Sequence, residues 1–538
     1  MPRLYLWLSA ILTLAGGNLV IAADPPKPAL EIRAKSIQDL VGPFAHFMQM
    51  AGQKDTATQM VAVVKVFVDN EKGFEGVELK KPIGGYVAIS ENVADSPVVL
   101  MLPIANEEAF TEMIKDKGKL KPKKLEDGVS TVELPNFPFP VFYRFSNDYL
   151  YVTIRSEKAI DKKLLLAPAD FFAKKLTTAF AATLNLDLVP ADLKKVAYGQ
   201  IEMQLAEAAK EAGGNELEKQ ARKFLVDTVS EMAKVLLTDA KELSIAIDIV
   251  PKSDEFIFDL VLTPNTGTTL SKTLLSWGDR SSKAASIAEV KNPIVGVGIN
   301  FPLPKGTTEK LTKLYETAVE ASLENAAGEE LEIKKDVLQS ILPTVKAGDL
   351  QFGGIFTKGK ENYSILSGTG LKELKQFMKV LKNVAEKIPG EIVGFEFDKE
   401  NAHGFDWHRL ELPDQFETDS HELIGKMAWI GNSDDLYLLS FGKTAEAAKA
   451  IAAAKTVPAS RMLTMELSAA RLALANSIGS GQKDLQKQIE SKITELFGKE
   501  GPAGQDTLRL TASGGKDFKL HFEMKGKAFL FFEPSKMK

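Results

Sequence analysis

Four segments of this chain follow one order: an alternating strand, two amphipathic helices and two further strands. They begin near Leu30, Leu184, Ile294 and Met462. Apolar residues at every second position predict half-buried strands, and apolar residues three or four apart predict one apolar stripe per helix. A unit repeated in this way predicts an α+β fold, with repeated β-α-α-β-β units, largely antiparallel sheets and amphipathic helices packed on one face.

The second segment shows the helical spacing clearly, and we expect both of its helical stripes to contribute to the core. The stripe of the first helix is Leu193, Val196, Ile201 and Leu205, and that of the second is Leu225, Val229, Met232 and Leu236. Two alternating strands follow, joined at PKSDE, 251–255. Strands joined so closely predict an antiparallel hairpin.

A different module separates the first repeat from the second and the third from the fourth. Its two copies share an ELP followed by an LY: GVSTVELP and NDYLYVTI lie within 128–154, and DWHRLELP and DDLYLLS within 406–440. The chain is therefore interpreted as a tandem duplication with halves at 28–285 and 290–536. The stretch GDRSSKAAS, 278–286, is the expected junction.

The N-terminus has the pattern of a secretory signal segment, 1–23. Arg3 precedes an apolar stretch from Leu4 to Ala15, and small residues follow at Ala22 and Ala23. Later apolar runs are shorter than the roughly 18 residues that a membrane span needs, so no transmembrane span is expected in the mature chain. We expect export across the inner membrane to a periplasmic or extracellular location. The chain has no cysteine, which excludes disulfides and thiolate metal sites.

The charge of the chain constrains the kind of partner that it can bind. The net charge is −5, with both signs interspersed along the chain. Such a balance argues against a nucleic-acid partner or an anionic membrane, because either needs a concentrated basic face. The one dense basic run, KDKGKLKPKK at 115–124, is typical of a solvated linker.

The first module contains an aromatic, proline-rich segment, LPNFPFPVFYRF at 134–145. Proline lacks a backbone donor and fixes φ, so the neighbouring rings cannot lie in a regular central ladder. Stiff aromatic side chains lose little entropy on binding, which makes them good contact residues. The candidate binding residues are Phe137, Phe139, Phe142 and Tyr143. The alternative is that these rings fold back onto the sheet, as large apolar residues usually do.

Three of the five histidines lie in one segment of the second module, 403–421. On a strand, Asp406 and His408 would face the same side, and with His421 they could form a metal site or an acid–base pair. The alternative is a surface histidine paired with a carboxylate. Position 130, the match of His408 in the first copy, is Ser, so such a site would occur once per chain.

No established catalytic motif accompanies these residues. The chain has no GxSxG, no GxxxxGK[ST] and no HExxH. We therefore expect a secreted, non-enzymatic binding or interaction protein without a cofactor, whose partner is an extracytoplasmic protein or an apolar ligand. One alternative is a metal-dependent hydrolase centred on 403–421. Another is an extracytoplasmic lipid or apolar-ligand carrier, in which long helices close over a curved sheet.

Three strings, DPPKPAL after the signal segment, PIGGYVAIS at 82–90 and PFPVFYRFSNDYLYVTIRSEKAI at 138–160, carry a resemblance. With them, most of the chain resembles uncharacterised secreted proteins of planctomycete-type bacteria. The resemblance implies an extracytoplasmic setting. It implies no activity and no catalytic residues.

Overall fold

The computed structural model describes residues 27–50, 75–89, 96–116, 118–135, 137–154, 156–173, 176–210, 216–278, 280–324, 326–358, 363–387, 394–402, 404–411, 425–434, 436–442 and 461–532. These residues form an α+β fold, as the sequence predicts. No helix within these ranges has both the length and the hydropathy needed to cross a membrane. The predicted signal segment, 1–23, lies outside them.

The elements up to residue 264 begin with a strand and a helix, β1 (Leu30–Ala34) and α1 (Ile37–Met50). Then follow β2 (Ile83–Val87), β3 (Val98–Pro103), α2 (Glu107–Asp116), β4 (Lys123–Lys124), β5 (Val129–Val132), β6 (Val141–Ser146), β7 (Tyr149–Ile154) and the short α3 (Pro168–Phe171). The last of them are β8 (Phe180–Asn185), α4 (Ala191–Lys210), α5 (Glu216–Asp239), β9 (Ala240–Val250) and β10 (Glu255–Pro264).

The later elements begin with α6 (Thr269–Gly278), β11 (Val295–Pro302), α7 (Lys305–Leu323) and α8 (Gly328–Ala347). Then follow β12 (Asp349–Lys358), β13 (Tyr363–Gly370), α9 (Leu374–Lys387), β14 (Gly394–Ala402), β15 (Phe405–Glu411), β16 (Met427–Asn432) and β17 (Leu436–Phe441). The last are β18 (Arg461–Ser468), α10 (Ala469–Gly479), α11 (Lys483–Phe497), β19 (Thr507–Ser513) and β20 (Phe518–Lys525).

The chain divides into two compact units. Unit 1 comprises the residues up to Ala197 together with Ala240–Thr263, and unit 2 comprises Tyr198–Asp239 together with the residues from Pro264 onward. In unit 1 the strands lie in the order β4-β5-β6-β7-β3-β2-β1-β8-β9-β10. In unit 2 the order is β14-β15-β16-β17-β13-β12-β11-β18-β19-β20.

The two strand orders are the same, since adding ten to each strand number of unit 1 gives the order of unit 2. A Gly-Gly pair also recurs at matching positions, at Gly84 and Gly85 in β2 and at Gly353 and Gly354 in β12. An internal duplication predicts such a match. The ancestry of the two halves and their bounds, 28–285 and 290–536, stay predictions, and compactness groups Tyr198–Asp239 with the later residues.

The sheet of unit 1 has an apolar cluster on each face. On one face, Tyr86, Met101 and Tyr151 lie under residues 157–172, which contribute Ile160 and Phe171. On the other face, α2 contributes Phe110 to a second cluster over β5, β6 and β7. The alternation of side chains along each strand supplies both faces. Strands β5, β6 and β7 are therefore covered on both faces.

A row of glycines crosses the sheet of unit 2, where Gly298 pairs with Gly353 and Gly353 with Gly368. A Cβ at Gly298 would lie 2.8 Å from the carbonyl oxygen of Ala285, and one at Gly353 would overlap the carbonyl group of Ala284. Glycine here permits a close approach of two backbones. The segment that approaches is 280–289, which we call the covering segment.

The covering segment is packed into unit 2. Ser282 and residues 284–288 are buried, and Ile287 packs with Trp407 and Leu438 in the main core cluster. Ion pairs hold both ends: Arg280 pairs with Asp349, and Arg461 Nη1 lies 2.5 Å from Glu289 Oε1. Most of the described part of the expected junction, 278–286, is thus packed in the core of unit 2, and its role as a junction stays a prediction.

The helical stripe predicted on α5 is not buried. Leu225, Val229 and Met232 are about half exposed, at 58, 44 and 55%. The contacts of α5 lie elsewhere on its surface: it packs on α7, and Lys310 Nζ lies 2.8 Å from Glu231 Oε1. Apolar spacing identified the helix correctly but did not identify its buried face.

Candidate binding surface

The hairpin β5–β6 presents an eight-residue connection at the end of its two strands. Val132 pairs with Val141, and residues 133–140 join them. We call residues 133–140 the aromatic loop. The backbone N–H of Phe137 donates to the carbonyl oxygen of Leu134 at 3.1 Å, which closes a turn. Prolines at 135, 138 and 140 fix φ at three of the eight positions, so the loop is stiff.

The two rings of the aromatic loop face solvent. Phe137 is 40% exposed and Phe139 39% exposed, and Leu134 beside them is 38% exposed. The two rings pack edge to face, with centroids 6.0 Å apart and an interplanar angle of 76°. This is a favourable arrangement for aromatic pairs. Here the alternative that the rings fold back into the core is wrong for Phe137 and Phe139.

The other two candidate residues belong to the sheet. Phe142 is half-buried and packs against the cluster under residues 157–172. Tyr143 is 4% exposed and packs on the opposite face, with its ring centroid 5.8 Å from that of Phe145. Burial raises the pKa of Tyr143. Because β6 begins at Val141, side chains from there onward alternate between two covered faces, and Tyr143 is a core residue.

His408 lies in β15 with both ring nitrogens in hydrogen bonds. The backbone N–H of Asp398 donates to Nδ1 at 2.9 Å, so the proton resides on Nε2, which donates to Asn432 Oδ1 at 2.7 Å. The side chain is 2% exposed, and the ring of Phe397 lies 5.3 Å away. A buried histidine with two satisfied nitrogens is a structural residue, since a metal needs a free nitrogen lone pair.

Of the other predicted metal ligands, the structure describes Asp406. Asp406 is exposed and accepts a hydrogen bond from Asn401 Nδ2 at 2.7 Å. His403 and His421 lie outside the described residues, so the complete set stays a prediction. Within the part of the chain that the structure describes, no three His, Asp or Glu side chains are grouped so that they could hold a metal ion.

A second candidate surface is a groove of about 720 Å³ in unit 2, beside α10. Its walls are mostly apolar, and polar groups occur at the end of α10 and the start of α11. The lining includes Leu472, Leu485, Phe531, Phe532, Asn476 and Gln482. A volume of this size is typical of small-molecule sites. Most of the lining comes from 467–485, and Phe531 and Phe532 complete it. Sequence patterns did not indicate this groove.

Comparisons with known proteins add little to this geometry. No protein family matches the chain, and no curated protein does. Crystal form III of the treponemal protein TP0453 is similar at 10% identity and a TM-score of 0.24, covering 47% of this chain and 82% of that one. Crystal form I of TP0453 gives 9% identity and a TM-score of 0.23, with 46% and 81% covered. At these TM-scores the similarity carries no argument about function.

Proposed function

We propose that this chain is an exported, non-enzymatic binding protein that docks on a partner surface through its aromatic loop. The observation that carries the proposal is the exposure of Phe137 and Phe139 on a proline-stiffened hairpin end. Exposed aromatic rings with few accessible conformations are effective contact residues, because little entropy is lost when they are covered.

The exposed rings supply a useful free energy of binding. A phenylalanine buries about 200 Å² when fully covered. Covering the remaining 40% of both rings would remove about 160 Å² of apolar surface from water. At about 25 cal/mol per Å² this contributes roughly 4 kcal/mol before the cost of association. Leu134 adds to the same surface. This is enough to anchor a contact, and further contacts would set its affinity.

The histidine geometry favours a binding role over catalysis. His408, the described histidine of the predicted metal site, has both ring nitrogens in hydrogen bonds, one with the backbone of Asp398 and one with the side chain of Asn432. A catalyst needs a nucleophile, base or metal set that converges on one point. The aromatic loop offers an apolar contact without such a set.

Site-specific crosslinking tests the proposal. A benzophenone amino acid is placed at position 137 in the full chain, produced in its native host and irradiated. The control places it at position 44, because Phe44 on α1 has nearly the same exposure, 39%. The proposal predicts crosslinked adducts, protein or lipid, at position 137 in excess over position 44. Equal yields at the two positions would contradict it.

The groove beside α10 favours a second function, binding of an apolar small molecule. Its volume of about 720 Å³ could hold a single acyl chain. Organic extraction of the protein purified from its native source, followed by mass spectrometry, tests this function. Recovery of a stoichiometric lipid that is lost in the variant Leu472→Trp, which fills the groove, would support it. Recovery of no apolar molecule would contradict it.

A further inference from the structure

A lysine-rich edge lies beside the aromatic loop. The two-residue strand β4 pairs with β5, with Lys123 opposite Thr131 and Lys124 opposite Ser130. The aromatic loop starts at Glu133, two residues beyond Thr131. Because β4 and β5 run antiparallel, the chain before Lys123 runs toward the loop. Lys121 is thus directed to the same end of the sheet as Phe137 and Phe139.

These lysines present their charge to solvent. Lys115, Lys119, Lys121, Lys123 and Lys124 are all exposed. Among the residues that the structure describes, none of them forms an ion pair with a carboxylate. The run 115–124 holds six lysines against one aspartate. Unit 1 therefore combines a concentrated positive charge and an exposed apolar tip at one end of one hairpin.

We infer that the partner surface is an anionic lipid surface; this inference rests on the function proposed for the aromatic loop. Aromatic rings insert at the boundary between headgroups and acyl chains, and lysines next to them pair with anionic headgroups. Neither feature alone would indicate a lipid surface. A small apolar tip binds lipid weakly, and lysines on a short edge strand commonly serve to prevent pairing with another strand. Their juxtaposition selects a surface that is both apolar and negative.

The net charge of −5 argued against this partner, but it is a property of the whole chain. Exposed charges farther apart than about 8 Å are screened at physiological salt, so the local charge decides the contact. The acidic residues nearby in the chain are Asp116 within the run, Glu126 and Asp127 after it, and Glu133. Of these, Glu133 lies in the aromatic loop itself, where its negative charge opposes the contact. Glu133→Gln should therefore strengthen binding.

Vesicle co-sedimentation of the full chain tests the inference. The vesicles are pure phosphatidylcholine or phosphatidylcholine with about one third phosphatidylglycerol. Each lysine near an anionic surface contributes roughly a fivefold change in partitioning, so Lys121→Gln with Lys123→Gln should weaken binding to the anionic vesicles roughly 25-fold. The charge-matched control is Lys162→Gln with Lys163→Gln, exposed in the same unit. The aromatic pair is tested with Phe137→Ser and Phe139→Ser against Phe44→Ser.

Binding that needs phosphatidylglycerol, weakens with added salt and is lost only in the 121/123 and 137/139 variants would support the inference. Equal binding to both vesicle types would overturn it. So would a 121/123 variant that aggregates yet binds as wild type, because the lysines would then serve only to protect the edge. If the chain binds neither vesicle while position 137 crosslinks to a protein, the inference fails and the proposed docking function stands.

Discussion

The substitution Gly353→Ala tests how the covering segment, residues 280–289, is held in unit 2. A Cβ at Gly353 would overlap the Ala284 carbonyl group and lie 3.1 Å from Ile287 Cβ. Backbone cannot rotate away as a side-chain end can, so the covering segment must shift. Overpacking of this kind costs about 1–3 kcal/mol. If the segment also releases Ile287, which is 1% exposed, the loss rises by about 2 kcal/mol more.

Urea unfolding followed by tryptophan fluorescence measures this loss in the relevant unit. The tryptophans are Trp7, in the predicted signal segment, and Trp277, Trp407 and Trp429, all in unit 2. Fluorescence of a chain produced without residues 1–23 thus reports unit 2. The control is Gly394→Ala, another strand glycine, where a Cβ would make an ordinary contact at 3.6 Å with Glu411. We expect the control to change the free energy of unfolding by less than about 0.5 kcal/mol. A Gly353→Ala variant as stable as the control would refute the close approach of the two backbones.

Three further predictions concern buried polar groups. Asn432→Ala removes the acceptor of the His408 Nε2–H hydrogen bond and should destabilise unit 2 by about 1–3 kcal/mol. The same urea titration measures this loss. An unchanged unfolding midpoint would contradict the assignment of the proton to Nε2. Burial raises the pKa of Tyr86 and of Tyr149 to about 12, from 10.0. As pH rises, the phenol groups of the unfolded chain therefore lose their protons before those of the folded chain. The stabilisation from these two tyrosines is complete below about pH 10 and is lost as pH rises to about 12. A phenolate absorbance that titrates as one class near pH 10 would contradict this. Burial, only partly offset by Arg509 and Arg471, raises the pKa of Glu466, so its contribution is present at low pH and is lost as pH rises through the raised pKa. Glu466→Gln should remove the fall in the stability of unit 2 that occurs as pH rises through the raised pKa of this carboxyl, and an unaltered pH dependence would show that Glu466 does not titrate there.

The α+β class could be predicted from sequence because strands and helices have different apolar periods. Alternation at Leu243, Ile245 and Ile247 located β9, whereas the repeat of the units stays a prediction. The α+β class follows from these local patterns.

The burial of the covering segment and the hydrogen bonds of His408 depend on how the strands pair, which sequence patterns do not show. Gly298, Gly353 and Gly368 form one row only after β11, β12 and β13 pair, so the burial of the covering segment was not predictable. The hydrogen-bond donor to His408 Nδ1 could not be predicted from sequence either. It is the backbone N–H of Asp398, which lies in the irregular stretch of β14 between Glu396 and Glu400.

At the candidate surface, sequence identified the segment but not its boundary. Phe137 and Phe139 are exposed, whereas Tyr143, four residues beyond Phe139, is in the core. The boundary is the start of β6 at Val141, which is set by pairing with Val132. The composition of the lysine run at 115–124 predicts a solvated linker, whereas the structure pairs its last two residues with β5 as a short strand.

The role of the aromatic loop is tested most directly by cell fractionation of the native host. The full chain, Phe137→Ser with Phe139→Ser, and Phe44→Ser are produced at equal levels, and the share of each recovered with the envelope is measured. The account predicts that the 137/139 variant is released into the soluble fraction while the Phe44 variant stays with the wild type. Both sites expose phenylalanine to about 40%, but only the aromatic loop is proposed to dock. A 137/139 variant that stays with the envelope as fully as the wild type would contradict it.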